Sequence, residues 1–139
     1  MGHKQPVSVL VVIHSPAPHF QILLLERAAH PGYWQSVTGS REGEETPWQT
    51  ARREVLEETA WHFTPRHLVG VYQWQRPARD ITYLRFAFCG ELGAAQAGRS
   101  LDRGIIRTVW LSADEIRSSS AHHRSPMVLH CLEDYLAGQ

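Results

Sequence analysis

The fold is decided by residues 39–61, which read GSREGEETPWQTARREVLEETAW. Three helix-start signals stand together in this stretch. Thr46 suits the N-cap, Pro47 the first helical position, and Gln49 completes a capping box three residues after Thr46. These signals predict a helix over about residues 47–59, entered from a glycine-rich, acidic loop.

The predicted helix has two faces with different chemistry. Its apolar residues recur at intervals of three and four and are expected to pack on a sheet: Trp48, Ala51 and Val55. Glu54, Glu57 and Glu58 have the same spacings, so these carboxylates lie within an arc of about 100° and repel one another. No Lys on that face neutralises them, and a divalent cation that takes oxygen ligands would reverse the sign of the interaction. A solvated charged face is the alternative that the spacing alone leaves open.

Strands are expected on both sides of this helix. Before it, alternating apolar runs predict strands over residues 7–13 and 20–25, then a shorter strand over 33–37 that stops at Gly39. After it, residues 68–74 and 81–89 resemble a hairpin. One more strand at 105–111, a short helix capped by Ser112 and a final amphipathic helix at 126–136 complete the chain. This order predicts an α+β fold in a single domain over residues 1–139.

Composition excludes several classes of protein. The 139 residues are 42% hydrophobic and 20% charged, with no apolar run of the roughly 18–20 residues that span a membrane. The first residues lack the apolar core of a signal peptide, so a cytoplasmic location is expected. A net charge of zero argues against binding of nucleic-acid polymers or membrane surfaces. That zero combines −3 over residues 39–61 with +3 elsewhere.

The acidic helix and its loop also resemble a known family. Gly39 is followed after five residues by Glu45, and then after seven more by Arg53-Glu54-Val55-Leu56-Glu57-Glu58. This is the order and spacing of the Nudix box, and the chain is identified on it as a member of the MutT-like Nudix hydrolases. The resemblance implies an α/β/α sandwich with a central mixed β-sheet, and hydrolysis of a phosphoanhydride.

Two positions depart from the box. Ala60 stands where the family has Gly, and Trp61 stands where an aliphatic residue is usual. The Gly serves a left-handed helix terminus, so Ala is expected to cost about 1 kcal/mol there or to shift the terminus by one residue. Neither change removes an implied ligand.

The resemblance also implies the catalytic residues. Glu54, Glu57 and Glu58 would bind Mg²⁺ or Mn²⁺, with the Gly39 carbonyl as a further ligand. Arg53 and Glu45 look like the pair that braces the loop against the helix, in a structural or a catalytic role. The general base differs among subfamilies, and it is either a glutamate of the box or an acid on a later loop. Asp102 is the candidate on that loop, with an ordinary turn aspartate as the alternative.

Candidate substrate-binding residues lie outside the box. Arg27 matches a position that meets a substrate phosphate in many relatives, although a surface ion pair is an alternative. Arg85 alternates with core residues on its strand, so an inward guanidinium could clamp a phosphate. Four aromatic residues could stack on a base or pterin ring, although strand aromatics are more often core and at most two are expected to touch a ligand. They are Trp34, Tyr72, Trp74 and Tyr83.

Different parts of the chain resemble enzymes that act on different substrates. Residues 6–13 and 32–40 look like dihydroneopterin triphosphate pyrophosphohydrolases of folate synthesis. Residues 72–74, 101–105, 124–126 and 134–139 instead resemble small bacterial Nudix phosphatases that act on nucleoside tri- and diphosphates and on a thiamin-precursor pyrophosphate. We therefore expect Mg²⁺-dependent hydrolysis of a small nucleotide or related pyrophosphate by a monomer or homodimer, with the pterin reaction as the alternative. A catalytically silent nucleotide sensor is a rival of another class, although such domains usually lose a box glutamate.

Overall fold

The computed structural model describes residues 5–16 and 20–138. Over these residues the chain forms six strands and three α-helices, with single 3-10 turns at Pro77–Arg79 and Ser120–His122. In chain order the elements are β1 (Val7–His14), β2 (Ile22–Arg27), β3 (Val37–Ser40), α1 (Pro47–Thr59), β4 (Trp61–Arg76), β5 (Ile81–Ala95), β6 (Ile105–Leu111), α2 (Ala113–Ser118) and α3 (Met127–Ala137). None of the helices in the described residues has the length and apolar character needed to cross a membrane.

The strands form one mixed sheet around β1. The order is β4-β5-β1-β2-β6, and β1 runs parallel to β5 and antiparallel to β2. Strand β3 pairs antiparallel with the first half of β1, where Gly39 lies opposite Val9, while β2 pairs with its last two residues. The edge of β1 is therefore shared by two strands, and β3 carries Gly39 to the side of the sheet on which α1 packs.

Alternation along β1 divides the core into two layers. Val9, Val11 and Ile13 are buried against α1 through Ala51 and Val55. The residues between them, such as Leu10 and Val12, are buried on the opposite face with residues of α2 and α3. Each fully buried side chain of this size contributes about 1.5–3 kcal/mol through the hydrophobic effect. The expected α/β/α sandwich with a central mixed sheet is confirmed.

Trp48 corrects one part of the predicted packing face. Ala51 and Val55 are fully buried as expected, whereas Trp48 is 39% exposed. It lies in the first turn of α1 and packs against Phe88 of the sheet with the two rings nearly perpendicular, at a centroid distance of 5.6 Å. The apolar stripe is therefore narrower than the sequence indicates.

Both cysteines lie in the core between the sheet and α3. Cys89 on β5 and Cys131 on α3 are free and buried. Burial raises the pKa of both thiols, that of Cys131 to about 11. Both side chains are therefore neutral apolar packing groups at physiological pH.

The predicted strand over residues 33–37 is wrong in its limits. Trp34 and Gln35 form only isolated bridges, and β3 begins at Val37 and passes through Gly39 instead of stopping there. Gln35 exchanges two backbone hydrogen bonds with Leu25, of 2.7 and 3.0 Å, so this segment follows β2 before it reaches β1. Gly39 does not end the strand, and its missing side chain makes room for Glu54 beside it.

Strands β4 and β5 are longer than predicted. The expected limits were 68–74 and 81–89, whereas the two pair from Trp61 and Ala95 at one end to Arg76 and Ile81 at the other. Register shifts interrupt β4 at three points before Val71, and each one breaks the simple alternation by which a strand is recognised. Residue 65 is also a proline, which is unusual within a strand.

Helix α1 has the predicted limits. The Thr46 hydroxyl accepts a hydrogen bond from the Gln49 N–H at 3.2 Å, and the Gln49 side chain accepts one from the Thr46 N–H at 2.9 Å. At the other end Ala60 adopts the left-handed conformation, with φ of 66°, and its N–H donates to the Leu56 carbonyl. The helix terminus is therefore kept in place, and Ala60 adopts a conformation that alanine disfavours.

Replacing Ala60 with Gly is expected to raise the free energy of unfolding by about 0.5–1 kcal/mol, because glycine relieves the left-handed strain but gains entropy in the unfolded chain. Urea unfolding measures the change. Ala137→Gly in α3 is the matched control, because its helical backbone offers no such relief. Equal effects of the two substitutions would contradict the strain at Ala60.

Candidate active site

Gly39 and Glu54 bring strand β3 and helix α1 into close contact. A Cβ atom built on Gly39 would overlap the carboxyl end of the Glu54 side chain. The missing side chain therefore lets the Glu54 carboxylate lie against the backbone of β3. This approach puts the Gly39 peptide beside the first of the three box glutamates.

Arg53 joins the acidic loop, β3 and α1. Its Nε donates to Glu45 Oε2 at 2.7 Å, and its Nη2 donates to Glu45 Oε1 at 3.1 Å and to the Ser40 carbonyl at 2.9 Å. Its Nη1 donates to Glu54 Oε1 at 2.6 Å and to Glu57 Oε2 at 3.2 Å. One guanidinium therefore neutralises part of the acidic face, although that face contains no Lys.

Glu45 is held firmly in its ionised form. The hydrogen bond from Arg53 has the largest effect, and the Glu42 N–H and the Thr50 hydroxyl donate to the same carboxylate. Together they lower the pKa of Glu45 to about 2, against the opposing effect of burial. Glu45 is thus the anchor of the loop, in contact with Arg53 as the resemblance implies.

Glu58 is the buried acid of the site. Its side chain is almost fully enclosed, and its Oε1 accepts a hydrogen bond from Arg27 Nη2. Burial raises the pKa of Glu58 to about 8; Arg27 opposes this rise, and the charges of Glu54 and Asp102 add to it. Its second oxygen, Oε2, is buried and has no hydrogen-bond partner in the described part of the chain. Such an atom is costly unless a ligand satisfies it.

The chemistry of these side chains fits a divalent cation. Across residues 5–16 and 20–138, no three His, Cys, Asp or Glu side chains converge into a preformed metal cage, since Arg53 lies between Glu54 and Glu57. The donor set is nevertheless three carboxylates, one with an unpartnered buried oxygen, which is what a hard cation such as Mg²⁺ prefers. Burial also raises the pKa of Glu54, so a cation would relieve two desolvated acids.

Asp102 lies near this acidic cluster. Its negative charge contributes to the raised pKa of Glu58. Its carbonyl also accepts the Ile105 N–H at 3.1 Å, in the turn that leads into β6. Its position is thus compatible both with a proton acceptor and with a turn residue.

A cavity of about 650 Å³ opens on the face of the sheet that carries α3. Arg27, Arg85 and Arg124 line it, together with Ser36, Thr38 and seven other residues, which include Met127 and Val128 of α3. Because Arg27 also contacts Glu58, the cavity adjoins the acidic helix. Arg124 is not among the substrate-binding residues predicted from the sequence. The signal that could have indicated it is its place in residues 124–126, which resemble the nucleoside phosphatases.

The four candidate aromatic residues lie outside the lining of this cavity. Trp34 packs under Arg107, whose guanidinium carbon is 5.3 Å from the ring centroid. Tyr72 donates its hydroxyl proton to Asp134 at 2.5 Å, and Trp74 stacks on Tyr83 at 5.1 Å. Each ring therefore has a structural partner, and contact with a substrate stays a prediction.

Glu26 fixes the loop that forms one wall of the cavity. The side chain is buried, and its two oxygens accept hydrogen bonds from the Gly32 N–H at 2.9 Å and from Arg107 Nε at 2.8 Å. These two donors, the Gly32 N–H first, lower the pKa of Glu26 below its ordinary value of 4.5. The loop from Arg27 to Trp34 is thus held in place by an ionised carboxylate.

The lowered pKa of Glu26 predicts a pH-dependent contribution to stability. A carboxylate with a depressed pKa stabilises the folded state above its unfolded pKa, and this stabilisation is lost as the pH falls through the folded pKa. Glu26→Gln is therefore expected to lower the free energy of unfolding at pH 7, with a smaller difference from the unsubstituted protein well below pH 4.5. Urea unfolding at several pH values measures it, with exposed Glu44→Gln as control. A difference that is constant with pH would contradict the role of the charge.

Comparison with known proteins supports the identification made from these residues. The family model described as the NUDIX domain matches residues 4–131. Phosphatase NudJ of Escherichia coli strain K12 is 32% identical over 137 residues, which cover 98% of this chain and 86% of that protein.

Two solved structures have the same fold. A NUDIX hydrolase from Nitrosomonas europaea is 40% identical, with a TM-score of 0.82 over 97% of this chain and 90% of that chain. The dihydroneopterin triphosphate pyrophosphohydrolase of E. coli is 26% identical, with a TM-score of 0.64, and all of both chains is covered. The sandwich and its box helix are therefore common to these proteins and to this chain.

Proposed function

Because the chain belongs to the NUDIX family of hydrolases, we propose that it is a Mg²⁺-dependent enzyme acting on small nucleoside di- or triphosphates or related pyrophosphates. Its family and its relatives make it a hydrolase of phosphorus-containing anhydrides, and Nudix hydrolases generally use divalent metal ions. The proposal adds the metal, the residues and the class of substrate.

The observation that carries the metal assignment is the unpartnered, buried Oε2 of Glu58. A buried carboxylate oxygen without a donor is destabilising, and a divalent cation would satisfy it. Glu54 and Glu57 lie on the same face, and the backbone of Gly39 lies beside the Glu54 side chain. We assign these four groups as ligands of Mg²⁺, or of Mn²⁺, which has similar ligand preferences.

Each remaining residue has a separate task in this proposal. When bound, the cation supplies charge neutralisation and lowers the pKa of water toward neutrality. Arg53 positions Glu54 and Glu57 through its Nη1, while Glu45 holds Arg53. Arg27 and Arg85 bind phosphate oxygens of the substrate. A box glutamate or Asp102 accepts the proton of the attacking water, which forms a bond to phosphorus as the anhydride bond breaks.

Two substrate classes are supported by different relatives. The NudJ likeness, at 32% identity, favours a phosphatase acting on nucleotides or similar pyrophosphates. The likeness to dihydroneopterin triphosphate pyrophosphohydrolase, at 26% identity over both whole chains, favours the pterin substrate as the second candidate.

The test is release of phosphate and pyrophosphate from a substrate panel at equal concentrations, with MgCl₂, MnCl₂ or EDTA. The panel holds the nucleoside di- and triphosphates and dihydroneopterin triphosphate. Hydrolysis that persists in EDTA would contradict the metal assignment. A preference of about tenfold or more in kcat/KM, or 1.4 kcal/mol, for the pterin would favour the second candidate.

A further inference from the structure

Arg85 is a half-buried cation without an acidic partner in the described residues. Its Nε donates to the Ser8 hydroxyl at 3.2 Å, and its guanidinium carbon lies 5.5 Å from the Trp74 ring centroid. Burial lowers the pKa of Arg85, since no carboxylate compensates the lost hydration. A guanidinium remains charged even so, which leaves an uncompensated positive charge at the cavity wall.

Arg124 adds a second positive charge to the same cavity, at an exposed position. Its backbone N–H donates to the Trp34 carbonyl at 2.7 Å, and the Trp34 N–H donates to the His122 carbonyl at 2.7 Å. The segment that carries Arg124 is thereby held against the strand side of the cavity, while its side chain forms no ion pair within the described residues. Arg27, in contrast, is already paired with Glu58.

The charge of the cavity indicates which kind of ligand it takes. Its lining in the described residues contains no Asp or Glu, whereas the hydroxyl-bearing Ser36 and Thr38 are present. Two guanidiniums without an acidic partner in the described part of the chain match a phosphate dianion, which carries about −1.5 to −2 at pH 7, better than a single carboxylate. None of Trp34, Tyr72, Trp74 and Tyr83 lines the cavity, so it offers no stacking platform among those rings.

We propose that Arg85 and Arg124 bind a second phosphate of the substrate, one attached to its organic part and separate from the hydrolysed anhydride. The inference rests on the proposed function. It narrows the proposed substrates to those that carry a phosphate in addition to the anhydride, such as nucleoside diphosphate derivatives with a further phosphate on a sugar. Arg27 lies between the two sites because it lines the cavity and also contacts Glu58. The anhydride would then lie at the acidic helix and the second phosphate in the cavity.

Binding without metal tests the cavity independently of catalysis. Calorimetry in EDTA compares adenosine with adenosine 3′-monophosphate, and the phosphorylated compound is expected to bind about tenfold more tightly. Arg85→Gln and Arg124→Gln should each remove most of this advantage. Arg99→Gln, on an exposed loop where the side chain contacts Gln96, should retain it. Since Arg124 is exposed, its variant keeps the test valid if Arg85→Gln does not fold.

Equal binding of the two compounds, or an advantage of the phosphorylated one that survives both substitutions, would overturn the inference. Hydrolysis is then compared for ADP-ribose and ADP-ribose 2′-phosphate with MgCl₂, where the added phosphate should lower KM about tenfold. If neither compound nor any member of the substrate panel is hydrolysed while the binding advantage of the phosphorylated compound remains, the proposed function fails and the phosphate subsite stands. Hydrolysis of both with equal KM would instead reject the subsite alone.

Discussion

Glu57→Gln is expected to lower kcat for anhydride hydrolysis by about 10²- to 10³-fold, because the loss of one charge-stabilising group lowers kcat by that factor in other active sites. The substitution keeps the size of the side chain and removes its negative charge, so a cation would lose one of its proposed ligands. Glu57 is partly exposed, and its carboxylate accepts a hydrogen bond from Arg53 at 3.2 Å. Arg53 retains its contacts with Glu45, Ser40 and Glu54, so the fold should survive.

The matched control for Glu57→Gln is Glu44→Gln, an equal loss of charge on the exposed loop. Initial rates are measured over a range of MgCl₂ concentrations, and urea unfolding measures the stability of each variant. The control should retain its rate within about twofold, since surface substitutions are usually neutral. Retention of the full rate by Glu57→Gln would remove this residue from the metal assignment.

Gly39→Ala is expected to lower kcat by about 100-fold, because a displacement of roughly 1 Å in a catalytic group costs that much. The added methyl group would overlap the Glu54 carboxyl end, so Glu54 must turn away from β3. The overlapped atoms belong to a flexible side chain, and hence the loss of stability should be smaller than the loss of activity.

Gly93→Ala on β5 is the control for Gly39→Ala. A Cβ atom there would have its nearest neighbour, the His62 carbonyl oxygen, at 3.6 Å, which is ordinary van der Waals contact. Rates and unfolding are measured for both variants. A loss of stability in Gly39→Ala large enough to explain its loss of activity would indicate a structural defect. Full activity in this variant would show that the position of Glu54 against β3 is not needed.

The box helix was predictable because its signals are local. Thr46, Pro47 and Gln49 specify the start of α1 through hydrogen bonds that span three residues. The predicted end at Thr59 also holds, because Ala60 accepts the left-handed conformation. The spacing of the glutamates then predicts that they lie on one face of the helix, and this prediction needs no information about the sheet.

The neutralisation of that face was not predictable from the helix alone. Glu58 meets Arg27 from β2, a contact across 31 residues of sequence that depends on the packing of α1 on the sheet. The acidic face of the helix contains no Lys, so its local spacing indicates an uncompensated cluster of carboxylates, whereas Arg53 and Arg27 compensate two sides of it.

Strand limits and the cavity depended on long-range contacts as well. The register shifts in β4 conceal its length, and β3 continues through Gly39, whose missing side chain leaves room for Glu54. Arg124 joins Arg85 on one cavity only because the segment before α3 is hydrogen-bonded to Trp34. No spacing within a single element contains that information.

The two buried thiols give the fold an internal reporter of opening. Cys89 lies on β5 and Cys131 on α3, on either side of one packed layer. A thiol reagent can reach them only when that layer separates, so the labelling rate measures how often it opens. If α3 detaches by itself, both thiols react together at a rate faster than global unfolding; if the layer is cooperative, their labelling rates follow the unfolding of the whole sheet.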